Sequence, residues 1–195
     1  MASWASIARR VRVPLGFLFA VLFFWLARPS LISILAGAVL VVAGVTIRAL
    51  ASGHVRKNEQ LATTGPYAYT RNPLYLGSLI MASGFAVAAR SWWIAAGMLL
   101  FFLVIYLPVI RGEEEFLRAR FPEFAEYERT VPRLFPRLSG PADSRRGEPR
   151  SQTSTEGFAW SLYLQHREYN ASIGAGAMLM ALVVKLLWFN SPWGR

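Results

Sequence analysis

Apolar residues in this chain come in long unbroken runs, separated by short stretches that are basic or polar. Val13 to Ala27 is the first run, preceded by Arg9, Arg10 and Arg12. It has the charged start of a secretory signal, but Trp25, Arg28 and Pro29 stand where a small-residue cleavage site belongs, so it is read as a membrane helix. Leu31 to Leu50 is about 20 residues long, enough to cross ~30 Å of hydrocarbon at 1.5 Å per residue. Leu74 to Ala89 is shorter and rich in small residues (Gly77, Ser78, Ala82, Ser83 and Gly84), which suits close helix packing in lipid. Trp92 to Ile110 follows after Arg90 and Ser91, so these two runs form an antiparallel hairpin, with Trp92 and Trp93 as interfacial anchors. Ala171 to Phe189, closed by Trp188 and Trp193, is the last; Lys185 lies near its end, where its stem can snorkel. The pattern predicts an all-α, polytopic integral membrane protein of about five spans.

The remaining segments differ in character. Arg111 to Leu138 is polar and amphipathic, with Phe116, Leu117, Phe121, Phe124 and Tyr127 at roughly helical spacing and Pro122 dividing it into two short helices. Ser139 to Gly157 is almost devoid of apolar residues and reads as a mobile linker. Phe158 to Tyr169 reads as an interfacial helix. The expected organisation is a membrane core over 1–138, a linker over 139–157, and an interfacial helix plus fifth span over 158–195.

Charge adds orientation. A formal charge of +10 sits oddly with 54% hydrophobic residues unless the two are segregated, and they are. The basic residues flank apolar runs, which favours anionic lipid headgroups over nucleic acid as their partners. Arg9, Arg10, Arg12, Arg48, Arg56, Lys57, Arg71 and the segment from Arg111 onward fall on one side; Arg28, Arg90 and Arg195 fall on the other. By the positive-inside rule the N-terminus, the loop before the third span and the Arg111–Leu138 segment are cytoplasmic. The absence of cysteine excludes disulfides, thiolate metal sites and a cysteine nucleophile. His54 and His166 lack metal-ligand spacing, so no metal is expected.

Two polar regions on that side carry candidate chemistry. In the first, Glu59 to Tyr75, Gly65-Pro66 permits a tight turn with close backbone approach to a ligand. Tyr67, Tyr69 and Tyr75 offer aromatic faces to a cation. An interfacial tyrosine belt is the ordinary alternative. The second is Arg111-Gly112-Glu113-Glu114-Glu115, just beyond the fourth span, where carboxylates are costly unless paired or occupied. A solvated charge run is the ordinary alternative there.

The run Leu61-Ala62-Thr63-Thr64-Gly65-Pro66-Tyr67, then Arg71-Asn72-Pro73-Leu74-Tyr75-Leu76-Gly77, resembles the isoprenylcysteine carboxyl methyltransferases and their bacterial phospholipid-methyltransferase-like relatives. Downstream, Glu113-Glu114-Glu115-Phe116-Leu117 and Phe121, then Tyr127, Val131, Arg133 and Pro136, continue the resemblance, which covers roughly Arg48 to Leu138. It implies a membrane methyltransferase using S-adenosylmethionine on a lipophilic acceptor, a prenylated-cysteine-like carboxylate or a lipid headgroup. By the same resemblance Glu59, Gln60, Leu61, Ala62, Tyr67, Asn72, Pro73, Leu74, Tyr75, Glu113 and Glu114 contact the cofactor. Glu114 is the favoured acidic contact, and Arg111 faces the acceptor; Arg111 and Glu114 form the implied catalytic pair. Asn72 stands where the family usually has His, and Glu59 stands near another such position. Asn hydrogen-bonds but takes no proton at neutral pH, so a positioning role is expected. Two other functions fit the architecture: an NADPH-dependent membrane reductase, disfavoured by the Glu113–Glu115 run, and a non-catalytic lipid-binding scaffold.

Overall fold

The computed structural model describes residues 4–56, 59–137 and 158–190, and among them every regular element is helical. Helix α1 spans Trp4–Leu26, α2 Leu31–Ser52, α3 Pro73–Ala89 and α4 Trp92–Phe101. A π-helical turn over Phe102–Tyr106 leads into α5, Leu107–Arg120, followed by α6 (Phe124–Thr130), α7 (Trp160–Gln165) and α8 (Tyr169–Asn190). Among the described residues three helices are long and apolar enough to cross a membrane: Leu31–Ser52, Trp92–Arg120 and Tyr169–Trp188. Pro14–Leu26 and Pro73–Ala89 are shorter apolar helices. The 17 residues of α3 rise about 25 Å, at the short limit for crossing hydrocarbon. Leu18, Val21, Trp25, Ile32, Leu35, Val39, Trp92 and Trp93 are exposed around the bundle, as lipid-facing side chains are.

Helices α2 and α3 pack backbone to backbone, and glycine is the reason. A Cβ on Gly44 would sit 2.5 Å from the Gly77 carbonyl oxygen, and one on Gly84 would sit 2.6 Å from the Gly37 carbonyl oxygen. The small residues expected on the third apolar run thus find glycine partners on the second. The far end of the pair is stitched by Ser33, whose hydroxyl donates to the Ala88 carbonyl at 3.0 Å. Ser30 caps α2 through a reciprocal capping box with Ser33. Arg90, in the left-handed region at φ 51°, closes α3 and turns the chain into α4. Around this pair lies a core of Phe23, Ile34, Val41, Phe85, Ile94 and Leu182.

One boundary differs from expectation. The fourth span does not stop at Ile110; helix runs from Trp92 to Arg120, 29 residues in all. Pro108 cannot donate to the carbonyl four residues back, and the chain absorbs this by widening into the π turn, where the Leu107 N–H reaches the Phe102 carbonyl. The segment after it does divide at Phe121–Glu123, beside Pro122. The proposed linker, 139–157, lies outside the described residues.

The C-terminal unit docks on both flanking helices. The Ala159 N–H donates to the Gly53 carbonyl at 2.9 Å, with the Phe158 ring lying over Gly53. Lys185 is buried in α8, and its ammonium bonds the Phe24 and Trp25 carbonyls at the C-terminal end of α1. A cation is favourable where those carbonyls lack intrahelical partners. Gly84→Val tests the α2–α3 crossing. Overpacking there is expected to cost about 1–3 kcal/mol, measured by thermal unfolding in detergent, whereas Gly176→Ala, facing open space, stays near wild type.

Candidate functional site

At one end of the bundle the chain before α3 and the chain after α6 are laced together. Gly65 takes φ +57° and turns the chain tightly against the His54 ring, whose Nδ1 lies 2.7 Å from the Leu50 carbonyl. Further on, the Arg71 N–H donates to the Pro132 carbonyl at 2.9 Å and the Arg137 N–H to the Tyr69 carbonyl at 3.0 Å. The Thr70 hydroxyl reaches the Arg133 and Leu134 carbonyls at 3.2 and 3.0 Å. Below these bonds Phe121, Phe124, Tyr127 and Val131 form an apolar cluster with Leu61 and Leu117 packed against it. The Tyr127 hydroxyl donates to the Tyr67 carbonyl at 2.7 Å. Burial disfavours the charged phenolate, which pushes both Tyr67 and Tyr127 well above the usual tyrosine range. Both are therefore neutral hydrogen-bonding groups, not proton acceptors.

Glu114 is the hub of this lacing. Its residue is 2% exposed. Arg133 donates to Oε2 from Nε at 2.9 Å and from the terminal nitrogen at 2.8 Å. Asn72 Nδ2 donates to Oε1 at 3.1 Å and to the Arg133 carbonyl at 3.0 Å. Arg71 lies 3.7 Å from Oε1. Both partners of the Asn72 amide are acceptors, which fixes its NH2 toward them.

In front of this hub opens a cavity of about 850 Å³, within the size range of small-molecule sites, roughly 300–1,000 Å³. Among the residues singled out from sequence, Gln60, Leu61, Ala62, Tyr67, Asn72, Leu74, Tyr75 and Glu113 line it. The remaining four do not. Glu59 is exposed, Pro73 is buried in the first turn of α3, Arg111 is exposed on α5, and Glu114 is buried in the hub. Of the two adjacent glutamates, Glu113 is the one on the cavity wall, and its Oε1 accepts from the Tyr75 hydroxyl at 2.9 Å.

Sequence reasoning missed several walls. Tyr106 enters from the π turn, and Gly16, Phe17 and Ala20 enter from α1. Arg71 lines the cavity, and its buried Nε and one terminal nitrogen have no hydrogen-bond partner. Its place in the motif was the available signal. Arg48 and Glu168 also line the cavity and pair with each other at 2.7 Å. Arg48 had been read as one of the basic residues on the cytoplasmic side, and nothing in sequence linked it to a residue 120 positions away. Among the described residues no group of three or more His, Cys, Asp or Glu is arranged to hold a metal ion.

The sequence profile of the phospholipid methyltransferases matches residues 12–123, more than half of the chain. The chain belongs to the phospholipid methyltransferase family. It is also 46% identical over 84 residues to the cobalt-zinc-cadmium resistance protein CzcN of Cupriavidus metallidurans, which is 43% of this chain and 39% of that protein. Over 84 residues it is 43% identical to the nickel-cobalt-cadmium resistance protein NccN of Alcaligenes xylosoxydans xylosoxydans, again 43% of this chain and 39% of the relative. The match thus spans well under half the length of these curated relatives. No solved structure gives a significant match. Family membership and the apolar helices make this a methyltransferase-family membrane protein.

The two adjacent glutamates should behave differently. Glu114→Gln leaves Arg133 and Arg71 without their buried counter-charge, and is expected to cost on the order of 1.5–3 kcal/mol of stability. Glu113→Gln, on the cavity wall, should change stability by under about 0.5 kcal/mol. Denaturant or thermal unfolding of the ligand-free protein in detergent distinguishes them; equal effects would remove Glu114 from the hub role.

Proposed function

We propose that this chain is an integral membrane methyltransferase that takes methyl from S-adenosylmethionine and transfers it to a lipophilic acceptor at the cytoplasmic face. The observation that carries this reading is the Arg71 guanidinium, held near Glu114 but with two buried nitrogens lacking hydrogen bonds, on the wall of a cavity that also presents Glu113 and tyrosine faces. The donor has one carboxylate, one ammonium and one sulfonium, and the wall offers a complement to each. Arg71 suits the carboxylate. Glu113, oriented by the Tyr75 hydroxyl, suits the ammonium, and the rings of Tyr75 and Tyr106 suit a sulfonium. Tyr106 packs edge-on against Tyr75 at 5.8 Å between ring centres, which holds the two faces in place.

When bound, S-adenosylmethionine supplies a methyl group already strongly electrophilic on its sulfonium. The chain's own task is then alignment and exclusion of water. Leu61, Ala62, Leu74, Phe116 and Leu117 supply an apolar lining for that purpose. Asn72, where the family usually has His, holds the Glu114 hub and takes no proton. This supports a positioning role at that place in the motif. Gly16, Phe17 and Ala20 bring a membrane helix to the same cavity, which gives an acceptor with an apolar tail a route from the bilayer. The exposed position of Arg111 gives no support to an acceptor contact there.

An NADPH-dependent reductase fits less well, because Glu113 stands on the cavity wall and two of the lining arginines that a 2′-phosphate would need, Arg48 and Arg71, already face Glu168 and Glu114. A non-catalytic lipid-binding protein would bind neither S-adenosylmethionine nor NADPH. Calorimetric titration of the purified protein with S-adenosylmethionine and with NADPH separates the three. Binding of the methyl donor alone is expected. Arg71→Gln and Glu113→Gln should each weaken it by about ten- to a hundredfold, the loss of one charge-assisted hydrogen bond. Binding of NADPH alone, or of neither, would overturn the proposal.

The cytoplasmic assignment has its own test. The loop around Gly65 and the chain after α6 are joined at one end of the bundle, and the basic excess lies on that end. Single cysteines at Thr64 and Glu126 should both label from the cytoplasmic side and be protected from the other; labelling of both from the opposite side would invert the orientation.

A further inference from the structure

The end of the bundle opposite the Glu114 hub has a cavity of its own, about 600 Å³, where the C-terminal parts of α1 and α8 meet. Two cations line it, Arg28 and Lys185. Lys185 is 8% exposed. Its ammonium bonds the Phe24 and Trp25 carbonyls and lies 5.0 Å from the centre of the Phe24 ring. Carbonyls and a ring face orient an ammonium but carry no net charge, so the positive charge stays at that place. Arg28 is fixed through its backbone. Its N–H donates to the Ala89 carbonyl at 2.8 Å, Ala27 before it is buried, and Pro29 after it has a locked φ. Its side chain is exposed and makes no hydrogen bond or ion pair with the described residues. The rest of the lining, which includes Trp25, Leu26 and Leu186, is apolar.

The chain supplies no acid to this end. All 11 acidic residues lie between Glu59 and Glu168, and none of them falls in 60–112. The connections 27–30 and 90–91 and everything after Glu168 therefore hold none, while Arg90 adds a third cation next to Ala89. The described acids belong to the loop before α3, to α5 and α6, and to the turn before α8, all at the other end. Cations on this side also run against the positive-inside bias, and a charged residue within a membrane span points to a partner. The counter-charge comes from outside the chain, and depth indicates its source. Trp25, Trp92 and Trp93 are exposed here, as indole rings are where spans reach the headgroups. A phosphate at that level takes paired N–H bonds from the Arg28 guanidinium and is attracted by the Lys185 charge. The glycerol and first methylenes of a lipid would cover Trp25, Leu26 and Leu186, walls for which a soluble phosphate has no use. We propose that this cavity binds the phosphate of an anionic phospholipid, in the leaflet opposite the candidate active site, and so clamps α1 to α8. The proposal is independent of the methyltransferase reading.

Thermal-shift titrations of the full chain in a non-ionic detergent test it with three probes. These are dioleoylphosphatidylglycerol, dioleoylphosphatidylcholine, whose phosphate is already balanced by its own ammonium, and glycerol 1-phosphate. Wild type should bind the phosphatidylglycerol about tenfold more tightly than the phosphatidylcholine, and glycerol 1-phosphate should give no shift. Arg28→Gln should remove most of that preference. Arg120→Gln, which deletes an exposed arginine at the end of α5, should leave it intact. Both substituted residues are exposed, so both variants should melt near wild type without lipid. Equal affinity for the two lipids in wild type overturns the proposal. So does a preference that survives in Arg28→Gln, or an equal loss in both variants, which is diffuse attraction to surface charge. A shift with glycerol 1-phosphate as large as with the lipid makes this a soluble-anion site and overturns the lipid assignment. No step uses S-adenosylmethionine, so failure here leaves the methyl-donor reading untouched, and the reverse holds equally.

Discussion

Glu114 carries a carboxylate into the protein interior, where an unpaired charge is prohibitive, and the polar end of the bundle is organised by the need to satisfy it. Arg133, Asn72 and Arg71 converge on its two oxygens from three separate parts of the chain. The Arg133 contribution requires the chain after α6 to fold back, and that return is secured by backbone bonds to Tyr69 and Arg71. The Asn72 contribution fixes the first turn of α3. A charge network of this kind adds little net stability compared with an apolar core of equal volume, but breaking it is expensive. Its effect is to give the loop before α3 a single position, and with it the cavity wall formed by Gln60, Leu61, Ala62 and Tyr67.

The membrane part serves the same end by different physics. Lipid offers no hydrophobic drive between helices, so α2 and α3 associate through close van der Waals contact at Gly37, Gly44, Gly77 and Gly84. That closeness lets the Arg48 stem cross α3 and reach Ser78 and Glu168. The π turn before Pro108 belongs to the same construction. It interrupts the regular register of a 29-residue helix where Tyr106 meets Tyr75, then lets the helix continue as far as Glu113 and Glu114. The hub and the cavity carboxylate thus share a rigid support with a membrane segment.

Much of this was open to reading in the residues. Apolar run lengths located the apolar part of every long helix, because hydrocarbon thickness is a strict ruler, while α1 begins nine residues before its run and the fourth helix continues ten residues past its own. The Gly65–Gly77 motif and the Glu113–Glu115 run marked the two polar regions that meet. Their meeting was expected from charge asymmetry, but their division of labour was not. Glu113 and Glu114 are adjacent on one helix, and successive helical positions face different directions. Which one turns inward depends on where Arg133 and Asn72 arrive.

The sequence alone determined the helical membrane architecture, the basic and apolar ends, and the motif that marks the family, since each is a local property of composition or spacing. Tertiary structure decided which residues share a cavity. It buried Glu114 and exposed Arg111, left the Arg71 guanidinium short of hydrogen-bond partners, and brought Glu168 across 120 positions to Arg48. Such pairings depend on the distance and direction between elements, and no local pattern along a chain encodes that.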